Sequence, residues 1–537
     1  MDRVGVEDNF FDLGGDSIIS IQVVARARAR GLRVTPPQMF EHQTIARLAT
    51  VAEQDGPADA DQGPVLGEYP LSPIQHWFFQ RRLPEPAHYN QTLLLEIAER
   101  LDPEVLRTAV DALVDHHDVL RSRFYRVGDA WGARIVTGSD DPLWTFEVAT
   151  SDPDTAADAF IEAKATEAQT GLDLEHGPLI RFVLFDRGAS GHLLLVVVHH
   201  VVMDGVSSRI LLEDLALAYD QAERGQPVRL PAKTTSFPQW STRLGELANS
   251  AEANVEAGYW RTVSGAGRPL PRDRDGVNTI ASTRHVRLAL SAEQTLRLLH
   301  TVPQAYRTQI NDVLLTALGT VLTAWSGDPA VLVDVEGHGR EDLGADVDVS
   351  RTVGWFTSLF PVALAAAPSD ADPGIALRRT KEYLRAVPRH GLGYGLLRYL
   401  TDTAMTDAIR AEVSFNYLGQ FDLASGRSAT RFARIDGSIG DSRSSEGLRT
   451  HLIEINSQVA AGRLTLDWSY SDQLHDEPTV LALAHGYLAA LNTLIDHCCT
   501  PGAGGFTPRT SRWPDSTRPP WTPSSNATRP RSRTSTR

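Results

Sequence analysis

Along the first fifty residues the apolar positions repeat with helical spacing. Ile18, Ile21 and Ala25 share one helix face, Asp16 and Ser17 stand where an N-cap belongs, and Gly31 supplies a stop just past the end. A second helix is predicted after Thr35, with Pro36 at its first position and Gln38 at capping-box spacing, and a third after Thr44, before Ile45 and Leu48. Residues 1–53 thus read as a small helical unit. The stretch from Glu53 to Gly67 carries three glycines, two prolines and four acids with few large apolar groups, so 54–67 reads as a linker.

From Glu68 to about Thr500 the period switches back and forth between two and 3.6. The pattern predicts strands over 93–97, 180–185, 192–200, 330–335 and 464–470, and helices over 103–116, 207–224, 291–301, 308–325 and 478–498. An α/β class follows. About 430 residues exceed the usual size of one hydrophobic core, so two lobes are expected, over 68–240 and 241–505, with a cleft between them.

Composition narrows the class. The 537 residues carry 52 Lys and Arg against 67 Asp and Glu, a formal charge of −15, which argues against a nucleic-acid-binding surface. The two cysteines, Cys498 and Cys499, fit neither a disulfide framework nor a thiolate zinc site and suit a reducing, cytoplasmic setting. No signal peptide opens the chain, and the longest apolar run, Leu193 to Val198, falls far short of the ~18 residues of a membrane span, so no membrane role is expected.

Phe10-Phe11-Asp12-Leu13-Gly14-Gly15-Asp16-Ser17 resembles the core motif of the peptidyl carrier domains of nonribosomal peptide synthetases. The resemblance implies that Ser17 bears 4'-phosphopantetheine, installed by a phosphopantetheinyl transferase, whose thiol carries an aminoacyl or peptidyl thioester. A serine at a helix start suits a phosphodiester, because free N–H groups and the positive dipole end lie beside it. Carrier domains normally have a helix before this loop, whereas here only Met1 to Asp8 precede it. The carrier is therefore expected to lack its first helix and to be poorly stable.

His199-His200-Val201-Val202-Met203-Asp204-Gly205 places two histidines at the end of a buried strand, where alternation sends them to opposite faces. One can serve a cleft and the other the fold, while Asp204 fixes the turn or pairs with an arginine such as Arg121. The motif resembles that of condensation and epimerization domains, pairs of lobes related to chloramphenicol acetyltransferase. Six further segments resemble epimerization domains in order: 73–78, 311–319, 336–341, 351–357, 388–395 and 415–419. Ser208 departs from the family, which usually has tryptophan there, and this bears on pocket shape.

The resemblance implies epimerization at Cα, from L to a D/L mixture. The thioester acidifies the Cα proton, so the reaction needs no pyridoxal phosphate and no metal, only an acid/base group on each face and donors near the developing oxyanion. It nominates His200 for one face and Glu336, at the strand end after Val335, for the other. Asn416 and Tyr417 are further site positions for the thioester or enolate, and His199, Asp204, Gly205 and Arg121 support the site. His338, Arg340 and Glu341 are expected to order their loop. Condensation and an inactive carrier-docking module are the alternative readings. As partners the resemblance implies an upstream adenylation and a downstream condensation domain.

Residues 506–537 read differently. From Arg509 onward, 29 residues hold seven Arg, five Pro, twelve Ser or Thr and no Leu, Ile, Val, Phe or Met. Restoring one base before codon 509 of a GC-rich gene opens a frame with a helix-like apolar pattern, so the tail is expected to be frameshifted and disordered.

Overall fold

The computed structural model describes residues 4–28, 30–54, 60–137, 144–150, 157–344, 346–365, 372–401, 410–420, 431–435 and 439–505. The expected frameshifted tail lies outside these residues. The three small helices are Ser17–Arg28, Pro36–Glu41 and Ile45–Leu48. Their starts are local chemistry: Asp16 Oδ1 accepts the Ile19 N–H, Thr35 and Gln38 close a reciprocal capping box, and the Thr44 side chain accepts from Arg47. Val24, Val34 and Met39 form the unit's small core.

Each lobe is built on its own sheet. Among the described residues the first has five strands, in the order Phe432–Arg434, Asn90–Ile97, His192–His199, Ile180–Asp186, Thr145–Thr150. His192–His199 is buried on both faces, which explains its unbroken apolar run. The second has six, in the order Thr283–Ala289, Arg463–Ser471, Ile453–Ala460, Val413–Gln420, Ala330–Gly337, Ser358–Ala365. Ala330–Gly337, Val413–Gln420 and Ile453–Ala460 run parallel, so their carboxyl ends open together on one edge, the usual place for a site in such sheets.

Two features differ from the sequence expectation. Ala330–Gly337 continues two residues beyond Val335, so Glu336 lies within the strand, opposite Leu359, rather than in the loop after it. Phe432–Arg434 leaves the second lobe's part of the chain and pairs with Asn90–Ile97 of the first, which ties the lobes together. The long apolar helix Glu477–Cys498 meets the length and composition of a membrane span, yet Val480, Leu483, Ala484, Tyr487, Leu491 and Leu494 are buried in the second lobe's core.

Candidate active site

His192–His199 ends at the cleft, one residue short of the expected strand, and the two histidines diverge there, His199 as the last strand residue and His200 as the first of the following turn. His199 is fully buried. Its Nε2 donates to the Pro86 carbonyl at 2.8 Å and its Nδ1 accepts the Val201 N–H at 3.1 Å, so both ring nitrogens are committed to the fold. Burial holds its pKa down at about 3. His200 opens the 3-10 turn that follows the strand, and its ring lines the cleft. Burial, reinforced by the charge of Arg443, lowers its pKa to about 4, so the imidazole is neutral, with an unprotonated lone pair, at neutral pH.

Glu336 and Asn416 stand at the carboxyl ends of adjacent parallel strands, and Asn416 Nδ2 donates to Glu336 Oε2 at 2.7 Å. Burial raises the Glu336 pKa to about 7, against the opposing charges of Arg443 and His451. Both Glu336 and His200 line one cleft of about 1170 Å³. Ser17 lines the same cleft, at the first position of its helix, because the carrier unit is seated against both lobes.

The seating is specific. Gln420 Nε2 donates to the Gly14 carbonyl at 2.7 Å, His300 Nδ1 to the Asp12 carbonyl at 3.2 Å, and Arg28 pairs with Asp348. Ile18 packs on the first lobe's core. Asp16 is buried, and Arg209 opposes the burial that raises its pKa. Tyr417 lines the same cleft without a hydrogen bond to Glu336; burial raises its pKa, with Asp16 and Arg209 as its charged neighbours. Of the two adjacent candidates, Asn416 therefore belongs to Glu336 and Tyr417 to the carrier side.

Asp204 corrects one expectation. Arg121 pairs with Asp118 at 2.5 Å, three residues away, and does not reach Asp204. Asp204 caps the helix Gly205–Glu223 through the Ser207 N–H, accepts the Phe356 N–H at 3.0 Å, and meets Arg340 at 3.3 Å. Arg340 also donates to the Val349 and Thr352 carbonyls and to Ser207 Oγ, so it joins the histidine motif to the loop after Glu336. Gly205 opens the helix with open space around its Cα.

Residues 65–504 match the family model described as the condensation domain, and residues 1–52 match the phosphopantetheine attachment site. The chain belongs to the condensation domain family. It is 43% identical over 520 residues to a linear gramicidin synthase of Brevibacillus parabrevis, covering 94% of this chain and 7% of that one. It is 39% identical to surfactin synthase subunit 1 of Bacillus subtilis, covering 95% and 14%. The chain thus spans a small part of the synthetases it resembles. A solved structure, the epimerization domain from the third module of tyrocidine synthetase B, superposes with a TM-score of 0.76 at 36% identity over 82% of this chain and 99% of that one.

Within this condensation-type fold, sequence reasoning missed residues that touch His200. Gln91 lines the cleft, and its carboxamide nitrogen donates to His200 Nε2 at 3.1 Å in the tautomer protonated on Nδ1. The Trp355 ring lies 4.3 Å from the His200 ring and Tyr89 stacks on it at 5.6 Å. Asn90-Gln91-Thr92, a polar run at the start of an apolar strand, was the available signal.

The attachment domain's group is 4'-phosphopantetheine. The surroundings of Ser17 fit it: the side chain opens a twelve-residue helix and faces a cleft that continues to His200 and Glu336.

Proposed function

We propose that this chain epimerizes the Cα centre of an aminoacyl or peptidyl group held as a thioester on its carrier. The supporting observation is the pair of proton carriers on opposite lobes, a neutral imidazole at His200 and a carboxyl at Glu336 that titrates near neutrality, in one cleft that Ser17 also lines. The arm on Ser17 supplies the thioester that acidifies Cα–H. His200 takes or gives a proton on one face, and Glu336 acts on the other, oriented by Asn416. Gln91, beside His200 Nε2, supplies a second amide N–H for the charge developing on the thioester oxygen. Tyr89 and Trp355 wall the imidazole against bulk water.

The test is incubation of the loaded protein in heavy water with a panel of L-aminoacyl groups. The expected product is a D/L mixture with deuterium at Cα; amide formation without Cα exchange would instead show a condensing enzyme. Mass spectrometry after phosphopantetheinyl transfer is expected to find one modification, lost in Ser17→Ala; retained label in that variant would move the attachment site elsewhere.

The pH dependence has a definite sign. Between about 4, where His200 titrates, and about 7, where Glu336 does, the pair holds a single proton. Neutral imidazole with carboxylic acid, and imidazolium with carboxylate, have the same proton count, so both directions share one bell-shaped profile. The rate should fall below the lower limb and above the upper one. A rate that climbs steadily from pH 7 to 9 would contradict it.

A further inference from the structure

Residues 441–444, from the second lobe's part of the chain, run along the first lobe's strand edge. Asn90 N donates to the Ser442 carbonyl at 2.8 Å, Ser444 N to the His88 carbonyl at 3.2 Å, and His88 Nε2 to the Asp441 carbonyl at 2.7 Å. These bonds hold Arg443 opposite Tyr89. Its guanidinium lies 4.7 Å over the Tyr89 ring, the same ring that stacks on His200. Arg443 does not itself line the cleft. None of the seven motifs contains it.

We propose that Arg443 is a positioning residue for the two proton carriers, placing one fixed positive charge beside both His200 and Glu336. The inference rests on the epimerization reading. A cation here opposes protonation of His200 and favours ionisation of Glu336, so one residue biases both groups the same way. The other charges facing the site do not share this property. Asp204 favours imidazolium, while His451 favours the Glu336 carboxylate and Asp334 and Glu454 oppose it. Glu454 is itself held ionised chiefly by Arg449 and Arg443 against its burial, with His451 and Arg81 adding to them. Arg81 shares the Tyr89 ring at 5.4 Å. Two acids thus oppose the ionisation of Glu336, and Arg443, whose charge is favoured by Tyr89, Glu454 and Glu336 against its burial, acts on Glu336 and His200 alike.

The experiment compares pH profiles of Cα exchange in the full chain for wild type, Arg443→Gln, Arg443→Met and Arg443→Lys. Removing the charge should raise both limbs by about one pH unit, and Arg443→Lys should restore them. Arg443→Met keeps the aliphatic stem on the Tyr89 ring and guards against loss of packing in Arg443→Gln. A residue that merely packs would lower the rate with the limbs in place, and unmoved limbs in both neutral variants overturn the proposal. Failure of the epimerization reading is separate: the wild type would then show no Cα exchange at any pH, so that there would be no profile to shift, whatever Arg443 does.

Discussion

His200→Ala and Glu336→Gln are each expected to abolish net epimerization, a loss of about 10²- to 10⁴-fold for one acid/base group, while the protein stays folded. Both side chains face the cleft, so little packing is removed. Solvent exchange separates their roles. Starting from one enantiomer, the variant that keeps the base on the proton's face should still wash deuterium into Cα without inversion, and the other should do neither. If His200→Ala lost all exchange from both enantiomers while Glu336→Gln kept both, a single-base mechanism would replace the two-base one. Glu336→Gln also leaves Asn416 Nδ2 facing an amide, so Asn416→Ala is expected to give a smaller loss of the same kind.

Arg340→Ala should be the most destabilising single change near the site, by about 3 to 5 kcal/mol, the cost of leaving a buried charge unpaired. The side chains of Arg340 and Asp204 are 1% and 5% exposed, so water cannot take over the lost partner. The same guanidinium holds two loop carbonyls and lies 3.9 Å over the Phe356 ring. Its removal frees the loop after Glu336 from the turn after His200, and exchange should fall together with the melting temperature. Arg340→Lys keeps the charge but lacks the planar fork needed to reach Asp204 and both carbonyls, so an intermediate loss is expected. A variant as stable and active as wild type would show that the lobes are registered by other contacts.

Features whose partners lie within a turn were legible in the amino-acid order. The capping box of Thr35 and Gln38, the Asp204 cap on Ser207 and the opposite fates of His199 and His200 follow from residue type and spacing, because the groups concerned are held within a few bonds of one another. The apolar run 193–198 marked a strand buried on both sides for the same reason: burial is written in composition. The two lobes and the carrier ahead of them were legible through motifs in order.

Which distant groups meet follows from the folded arrangement of the sheets. Asn416 and Glu336 are 80 residues apart and touch because their strands are parallel neighbours in one register. Asp204 draws Arg340, 136 residues away, while Arg121, the partner expected from the sequence, is taken by Asp118. The raised proton affinity of Glu336 and the lowered one of His200 come from the walls around them, and those walls belong to both lobes. Local hydrogen bonds are fixed by chain geometry, whereas pairings and dielectric surroundings across the cleft depend on how the sheets close upon each other, which no short stretch of sequence encodes.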